Sequence, residues 1–155
     1  MGRLAGKVAV VIGAGQSPGQ GMGNGRAVAL RFAEEGARVL CVDRDLSSAK
    51  ETADLAKGEA AAFAADVMDG ASLGAAVADA KARFGRLDIL HYNVGVSLAG
   101  GDTVLAEVSE EAFDRVHAIN LRGAVMAAKH AVPSLRSPRS RRRTASSPTA
   151  RARRL

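Results

Sequence analysis

The sequence is poor in cysteine and in aromatic residues, and it contains no long uncharged apolar run. Its one cysteine, Cys41, excludes a disulfide within the chain, and the apolar run at residues 38–42 favours a small buried thiol over a reactive one. No segment has the roughly 18 or more apolar residues of a membrane helix, and residues 1–6 lack the apolar stretch of a signal peptide. We therefore expect a cytoplasmic protein that has no membrane partner.

Acidic residues are missing from one end of the chain. Residues 136–155 hold eight of the 22 Lys and Arg and none of the 16 Asp and Glu, so the remaining 135 residues are mildly acidic. This end is made of Arg, Ser, Pro, Thr and Ala with almost nothing to bury, which predicts a disordered basic tail after one domain at residues 1–135. The arginines permit non-specific contacts with a phosphate backbone, but no aromatic stacking platform accompanies them. The pattern therefore argues against nucleic acid as the partner.

Short apolar runs alternate with segments of helical periodicity over most of the chain. Strands are buried on both faces in parallel sheets, which explains runs without polar alternation. The alternation predicts right-handed crossovers and an α/β fold with a Rossmann-like, doubly wound parallel sheet, truncated after about four strands. The predicted strands lie at residues 7–12, 38–42, about 61–65 and 87–92, and the predicted helices lie at residues 26–35, about 46–57, about 71–84 and about 110–132.

A glycine-rich stretch follows the first predicted strand and precedes the first helix. Gly13, Gly15, Gly23 and Gly25 are the candidate binding residues within it. Glycines in this context let the backbone approach a pyrophosphate, whose charge is met by amide groups and by the helix N-terminus. The alternative is a plain flexible loop. The flanking strand and helix favour dinucleotide binding.

Asp43 comes directly after the second predicted strand. An acid there accepts hydrogen bonds from the ribose hydroxyls of adenosine and repels a 2′-phosphate, which favours NAD over NADP as the cofactor. Arg44 is a counter-argument, because a guanidinium beside the ribose accommodates a phosphate. The other interpretation is that Asp43 and Asp45 are acids that complement the dipole of the next helix.

Polar and small residues also follow the third and fourth predicted strands. Asp66 and Val67 come after the third strand and Asn93 and Gly95 after the fourth, so all four fall at the carboxyl edge where open α/β sheets bind ligands. Together with the glycine stretch, Asp43 and the run at residues 120–123, they form a series of landmarks in a fixed order. Over about residues 5–135 this series resembles the short-chain dehydrogenase/reductase family, and we expect the resemblance to end near residue 135.

The resemblance implies a role for each landmark. The glycine loop would hold the pyrophosphate, Asp43 the ribose, and Asp66 and Val67 the adenine, while Asn93 and Gly95 would line the floor of the cofactor site. It further implies an NAD(P)-dependent oxidoreductase of a small carbonyl or alcohol substrate, and intact members are usually homo-oligomers.

The family's catalytic set is incomplete in this sequence. The resemblance implies an Asn, Ser, Tyr, Lys set in which the tyrosine is the general acid and base, and Asn120 matches the asparagine. The only tyrosine, Tyr92, has Val96 four residues further on, so no Tyr-x-x-x-Lys motif exists. Lys129 lies in the preceding helix and cannot replace the missing lysine. We therefore expect the chain to be inactive by itself.

The sequence also departs from the family pattern elsewhere. Ile12 stands where a threonine usually precedes the first glycine, Tyr92 replaces the first asparagine of an Asn-Asn-Ala-Gly motif, and the glycine loop is expanded. We interpret the chain as a fragment, the product of a shifted reading frame or a truncated gene. The alternatives are a cofactor-binding pseudoenzyme or scaffold and, less favoured, a nucleic-acid binder. The three histidines have no metal-ligand spacing, so we assign no metal site.

Overall fold

The computed structural model describes residues 2–16, 19, 21–98 and 103–135. The predicted basic tail at residues 136–155 lies outside the described residues. So do Ser17, Pro18 and Gln20 of the glycine stretch.

The described chain alternates strands and helices, as the sequence predicts. The boundaries differ from the predicted ones by at most two residues, which is the usual uncertainty of helix and strand ends. A short 3₁₀ turn at Leu105–Glu107 is additional. The elements are β1 Val8–Ile12, α1 Asn24–Glu34, β2 Arg38–Asp43, α2 Leu46–Leu55, β3 Ala60–Ala64, α3 Gly70–Phe84, β4 Ile89–Tyr92, α4 Glu110–His117 and α5 Gly123–Ala131.

The four described strands form one parallel sheet in the order β3-β2-β1-β4. Strand β1 pairs on both sides, and Val10 lies opposite Leu40 of β2 and Leu90 of β4. All five β1 residues are buried, which explains their uninterrupted apolar character. The predicted Rossmann-like α/β sheet is confirmed.

Helices cover both faces of the sheet. On one face, Val8 and Val10 pack in a core cluster with Leu73 of α3 and Ala127 of α5. On the other face a smaller cluster joins the sheet to α1 and α2, and it includes Cys41. Cys41 is fully buried as predicted, and this burial raises the pKa of its thiol to about 12. Among the described residues, no helix is both long enough and apolar enough to cross a membrane.

One further parallel pairing lies just before β4. Strand pairing begins at Ile89 rather than at Leu87, where the strand was predicted to begin. Leu87 instead forms an isolated parallel bridge with Leu135, just after the last helix. The chain therefore returns to the sheet next to β4 at Leu135, the last described residue.

The long helix predicted over about residues 110–132 is interrupted. Helix α4 passes into a π-helical turn at Ala118–Arg122, and α5 then ends in a 3₁₀ turn at Val132–Ser134. The backbone stays helical throughout, but the amide of Gly123 donates to the carbonyl of Ala118, five residues back. Such single π-turns are frequent at functional sites.

Candidate functional site

The carboxyl ends of the four described strands meet at one edge of the sheet. Gly13 directly follows β1, Asp43 is the last residue of β2, Asp66 lies two residues beyond β3, and Asn93 directly follows β4. The strand order also reverses at β1, since β2 and β4 lie on its two sides. Open α/β sheets bind their ligands outside such a switch point. The fold thus brings the predicted site residues to the same edge.

The first helix begins in direct contact with the turn after β1. Gly13 has a φ of 81°, a conformation that favours glycine. A Cβ placed on Gly25 would lie 1.7 Å from the carbonyl oxygen of Gly13 and 3.0 Å from Nδ2 of Asn93. Only glycine fits at residue 25, so the start of α1 packs against the end of β1 with no side chain between them.

Asp43 holds the glycine loop at the end of β2. Its Oδ2 accepts a hydrogen bond of 2.9 Å from the amide of Gly15, and its Oδ1 accepts one of 3.1 Å from the amide of Asp45. The alternative role, capping the next helix, belongs to Asp45, whose Oδ1 accepts from the amides of Ser47 and Ser48. Each carboxylate oxygen can accept a second bond, so Asp43 keeps capacity for ribose hydroxyls.

Helix α2 anchors the same loop through two hydroxyl groups one turn apart. Ser48 Oγ accepts from the amide of Gln16 at 2.7 Å, and Thr52 Oγ1 donates to the carbonyl of Ala14 at 2.8 Å. Thr52 is fully buried and also accepts from Nε of Arg26 at 3.0 Å. Ser48, Thr52 and Arg26 are not among the site residues predicted from the sequence. The i, i+4 spacing of the two hydroxyls places them on one face of α2, but it does not indicate what that face contacts.

Among the described residues, no side chain caps the N-terminus of α1. Its N-cap residue is Gly23, and no side chain there accepts from the first helical turn. The Gly23 amide donates to Oε1 of Gln16 at 2.9 Å, while Nε2 of Gln16 donates to the carbonyl of Gly21 at 2.9 Å. The side chain of Gln16 therefore bridges the expanded loop. Amides in the first turn of an uncapped helix suit an anion, because the helix dipole favours negative charge there.

The two residues predicted for adenine differ in exposure. Asp66 is exposed, and its Oδ1 accepts from the amide of Met68 at 2.9 Å. Val67 is only 8% exposed and belongs to the main core cluster. The side chain of Val67 therefore stabilises the fold, and a ligand at this position would contact the backbone of Val67.

Asn93 and Asn120 organise the segment that follows β4. The amide of Asn93 donates to the carbonyl of Ile12 at 2.8 Å, which continues the sheet pairing past the strand end. Asn120 lies in the π-turn, and its side chain binds the backbone of Val96 twice, accepting from the amide and donating to the carbonyl at 2.8 Å each. A Cβ on Gly95 would lie 3.9 Å from Oδ1 of Asn120. Asn120 thus fixes the backbone beside Gly95.

Tyr92 points into the protein rather than into the site. Its hydroxyl donates to the carbonyl of Ile119 at 2.6 Å, and burial raises the pKa of the phenol. The hydroxyl of Tyr92 is thus bound to the helical turn that carries Asn120.

Two of the histidines lie beside aromatic side chains. His91 meets Phe32 edge to face at 6.3 Å between ring centroids, and His117 lies 4.1 Å from Phe113. Within the described ranges, no three His, Cys, Asp or Glu side chains are grouped so that they could hold a metal ion.

The chain is similar to many known oxidoreductases. The family model described as enoyl-(acyl carrier protein) reductase matches residues 19–152. The D-threitol dehydrogenase of Mycolicibacterium smegmatis is 41% identical over 125 residues, which are 78% of this chain and 44% of that protein. The family match extends past residue 135, where we expected the resemblance to end.

Solved structures give the same result. A short-chain dehydrogenase/reductase from Burkholderia xenovorans is 44% identical with a TM-score of 0.79, and the match covers 86% of this chain and 53% of that one. The 3-ketoacyl-(acyl-carrier-protein) reductase from Brucella melitensis, solved with NADH, is 38% identical with a TM-score of 0.75, over 84% of this chain and 50% of that one. The chain spans about half the length of the relatives it matches.

Proposed function

The chain belongs to the short-chain dehydrogenase/reductase family, and we propose that it binds NAD(H) at the carboxyl ends of its strands. The observation that carries the proposal is the contact between Asp43 and the amide of Gly15, because it joins the candidate ribose acceptor to the glycine loop. The Brucella melitensis relative was solved with NADH, which supports the same class of cofactor.

The geometry of the edge fits a dinucleotide. The close approach of Gly25 to Gly13 leaves backbone rather than side chains where a pyrophosphate would lie, and the uncapped start of α1 would meet its charge. Asp43 would accept from the ribose hydroxyls, Asp66 and the backbone of Val67 would face the adenine, and Asn93 and Gly95 would lie toward the nicotinamide. When bound, this cofactor supplies a hydride acceptor or donor.

Asp43 is also the reason to favour NAD over NADP. A carboxylate beside the ribose would repel the 2′-phosphate, and at the effective dielectric of a protein surface like charges about 4 Å apart repel by roughly 4 kcal/mol. Arg44 is exposed next to it. We propose that the carboxylate dominates, because it is held in place by the Gly15 and Asp45 amides.

The proposed activity of the wider protein class is oxidation or reduction of a small alcohol or carbonyl, and we propose that this chain alone does not catalyse it. Asn120 is the one member of the catalytic set that the sequence matches, and its amide binds the backbone of Val96. The only tyrosine donates its hydroxyl to the carbonyl of Ile119. This engagement of Tyr92 favours a second candidate function, a cofactor-binding protein without catalysis.

Titration of the full chain with NADH and NADPH, followed by nicotinamide fluorescence, tests the cofactor proposal. We expect NADH to bind more tightly than NADPH, and we expect Asp43→Ala to narrow the difference between the two affinities. Asp45→Ala is the matched control, because Asp45 caps α2 and, within the described part of the chain, its side chain forms no hydrogen bond with the glycine loop. Tighter binding of NADPH, or an equal effect of the two substitutions, would refute the role of Asp43.

The catalytic proposal has its own assay. Purified full-length chain should transfer no hydride from a panel of alcohols to NAD, since loss of a general acid and base typically costs about 10²- to 10⁴-fold in rate. Turnover that disappears with the Asn120→Ala substitution would contradict the proposal, because it would show a working site in this chain.

A further inference from the structure

The π-turn leaves one helical carbonyl without its normal donor. In an α-helix the amide of Gly123 would donate to the carbonyl of Ile119, four residues back. Here it donates to the carbonyl of Ala118 instead. The hydroxyl of Tyr92 lies at the end of β4 and donates to that Ile119 carbonyl at 2.6 Å. A side chain from the sheet thus replaces a missing donor in the helix.

The hydroxyl of Tyr92 occupies the space that a side chain at residue 123 would need. A Cβ on Gly123 would lie 2.4 Å from the Tyr92 oxygen and 3.2 Å from both Cβ and the carbonyl oxygen of Val67. Any side chain at residue 123 would therefore displace the hydroxyl or the backbone after β3. Gly123 and Tyr92 are coupled by this contact although they are far apart in the sequence.

The turn that Tyr92 fixes carries Asn120, the residue after Ile119. The side-chain amide of Asn120 binds both backbone groups of Val96 at 2.8 Å. Val96 belongs to the segment that begins at Asn93 and includes Gly95. A continuous series of contacts therefore runs from the Tyr92 hydroxyl through the π-turn to the segment proposed to line the nicotinamide end of the site.

We propose that Tyr92 is a positioning residue: its hydroxyl holds the π-turn so that Asn120 keeps the segment at residues 93–98 in the geometry that the nicotinamide end of the cofactor requires. The proposal rests on the proposed function, because it assumes that this segment meets the cofactor. Tyr92 itself touches no cofactor in this account. Substitution of Tyr92 should thus weaken binding of the nicotinamide end of the dinucleotide and leave binding of the adenosine end unchanged.

The test compares Tyr92→Phe with the wild-type full chain in two ligands, NADH and ADP. Loss of a hydrogen bond of this kind should weaken NADH binding by about threefold to tenfold, whereas ADP, which lacks the nicotinamide half, should bind within about twofold of wild type. Amide hydrogen exchange gives a second measurement without any ligand. The Val96 amide should exchange faster in the variant, whereas the Val10 amide in the buried strand should not change.

Two further variants separate positioning from general destabilisation. Gly123→Ala should reproduce the faster exchange of the Val96 amide, because its methyl group displaces the hydroxyl. In the double variant that combines Gly123→Ala with Tyr92→Phe, the Val96 amide should exchange no faster than in the more affected single variant. The oxygen that the methyl group would meet is absent from the double variant.

An unchanged Val96 amide in Tyr92→Phe would overturn the proposal, and so would an equal loss of NADH and ADP affinity. If wild-type protein bound neither ligand, the proposed function would fail. In that case the exchange measurement would still decide whether Tyr92 positions the segment through Asn120.

Discussion

Replacement of Gly25 by alanine tests the close contact on which the site depends. The added Cβ would lie 1.7 Å from the carbonyl oxygen of Gly13 and 3.0 Å from Nδ2 of Asn93, so α1 must move away from the end of β1. Overpacking of this kind costs about 1–3 kcal/mol, and the backbone partner at residue 13 places this case at the upper end. For a chain of this size the melting temperature should fall by roughly 6–12 °C.

The assay is thermal unfolding combined with NADH titration, and Gly70→Ala is the matched control. Gly70 also lies in the first turn of a helix, α3, and nothing lies within 4 Å of a Cβ placed there. We expect Gly70→Ala to leave the melting temperature and NADH affinity near wild type, and Gly25→Ala to lower both. If the two variants behaved alike, the contact between α1 and β1 would not be what forms the site.

The buried Cys41 thiol has a pKa raised to about 12, so thiol reagents at pH 8 should label it only as fast as the protein unfolds; rapid labelling of folded protein would contradict its burial. Hydrogen bonds from Arg3 lower the pKa of Glu35 to about 2, so its stabilising contribution should be complete above the ordinary value of 4.5 and lost as the pH falls toward 2. An NMR titration should show a higher Glu35 pKa in Arg3→Ala than in wild type, because the guanidinium is lost while the amide of residue 3 and Arg31 remain, and an unchanged value would exclude the Arg3 side chain as a cause. Thr52→Val should lower the free energy of unfolding by about 1–3 kcal/mol, because the carbonyl of Ala14 loses its donor; denaturant unfolding measures this, and an unaltered midpoint would refute it.

The overall fold could be predicted because local patterns dictate it. The five residues of β1 are apolar because both faces of this central strand are buried, and that need is visible in the sequence as an uninterrupted run. The position of Asp43 follows from the same logic, since the residue that ends a parallel strand lies at the binding edge. The sequence could not distinguish the roles of Asp43 and Asp45, because both acids precede the helix. The structure shows that Asp43 binds the glycine loop and that Asp45 caps α2.

The rest of the site depends on contacts between distant segments. Ser48 and Thr52 have an ordinary helical spacing, and only the packing of α2 beside the glycine loop gives them a partner. Val67 lies beside an exposed aspartate in sequence, yet the approach of Gly123 places its side chain in the core. In the sequence, Tyr92 is only a departure from the family pattern. Its hydrogen bond to the π-turn is visible only in the structure.

The location of bound NADH is the most direct test of the account, because the proposed function depends on the carboxyl edge of the sheet. Backbone amide chemical shifts of the full chain should be recorded during titration with NADH. We expect the largest changes at Gly15, Gly25 and Gly95, and small changes at Gly6 and Gly85, which precede β1 and β4 at the opposite edge. Saturating NADH that left the first three amides unchanged, or that shifted mainly the other two, would contradict the proposed site.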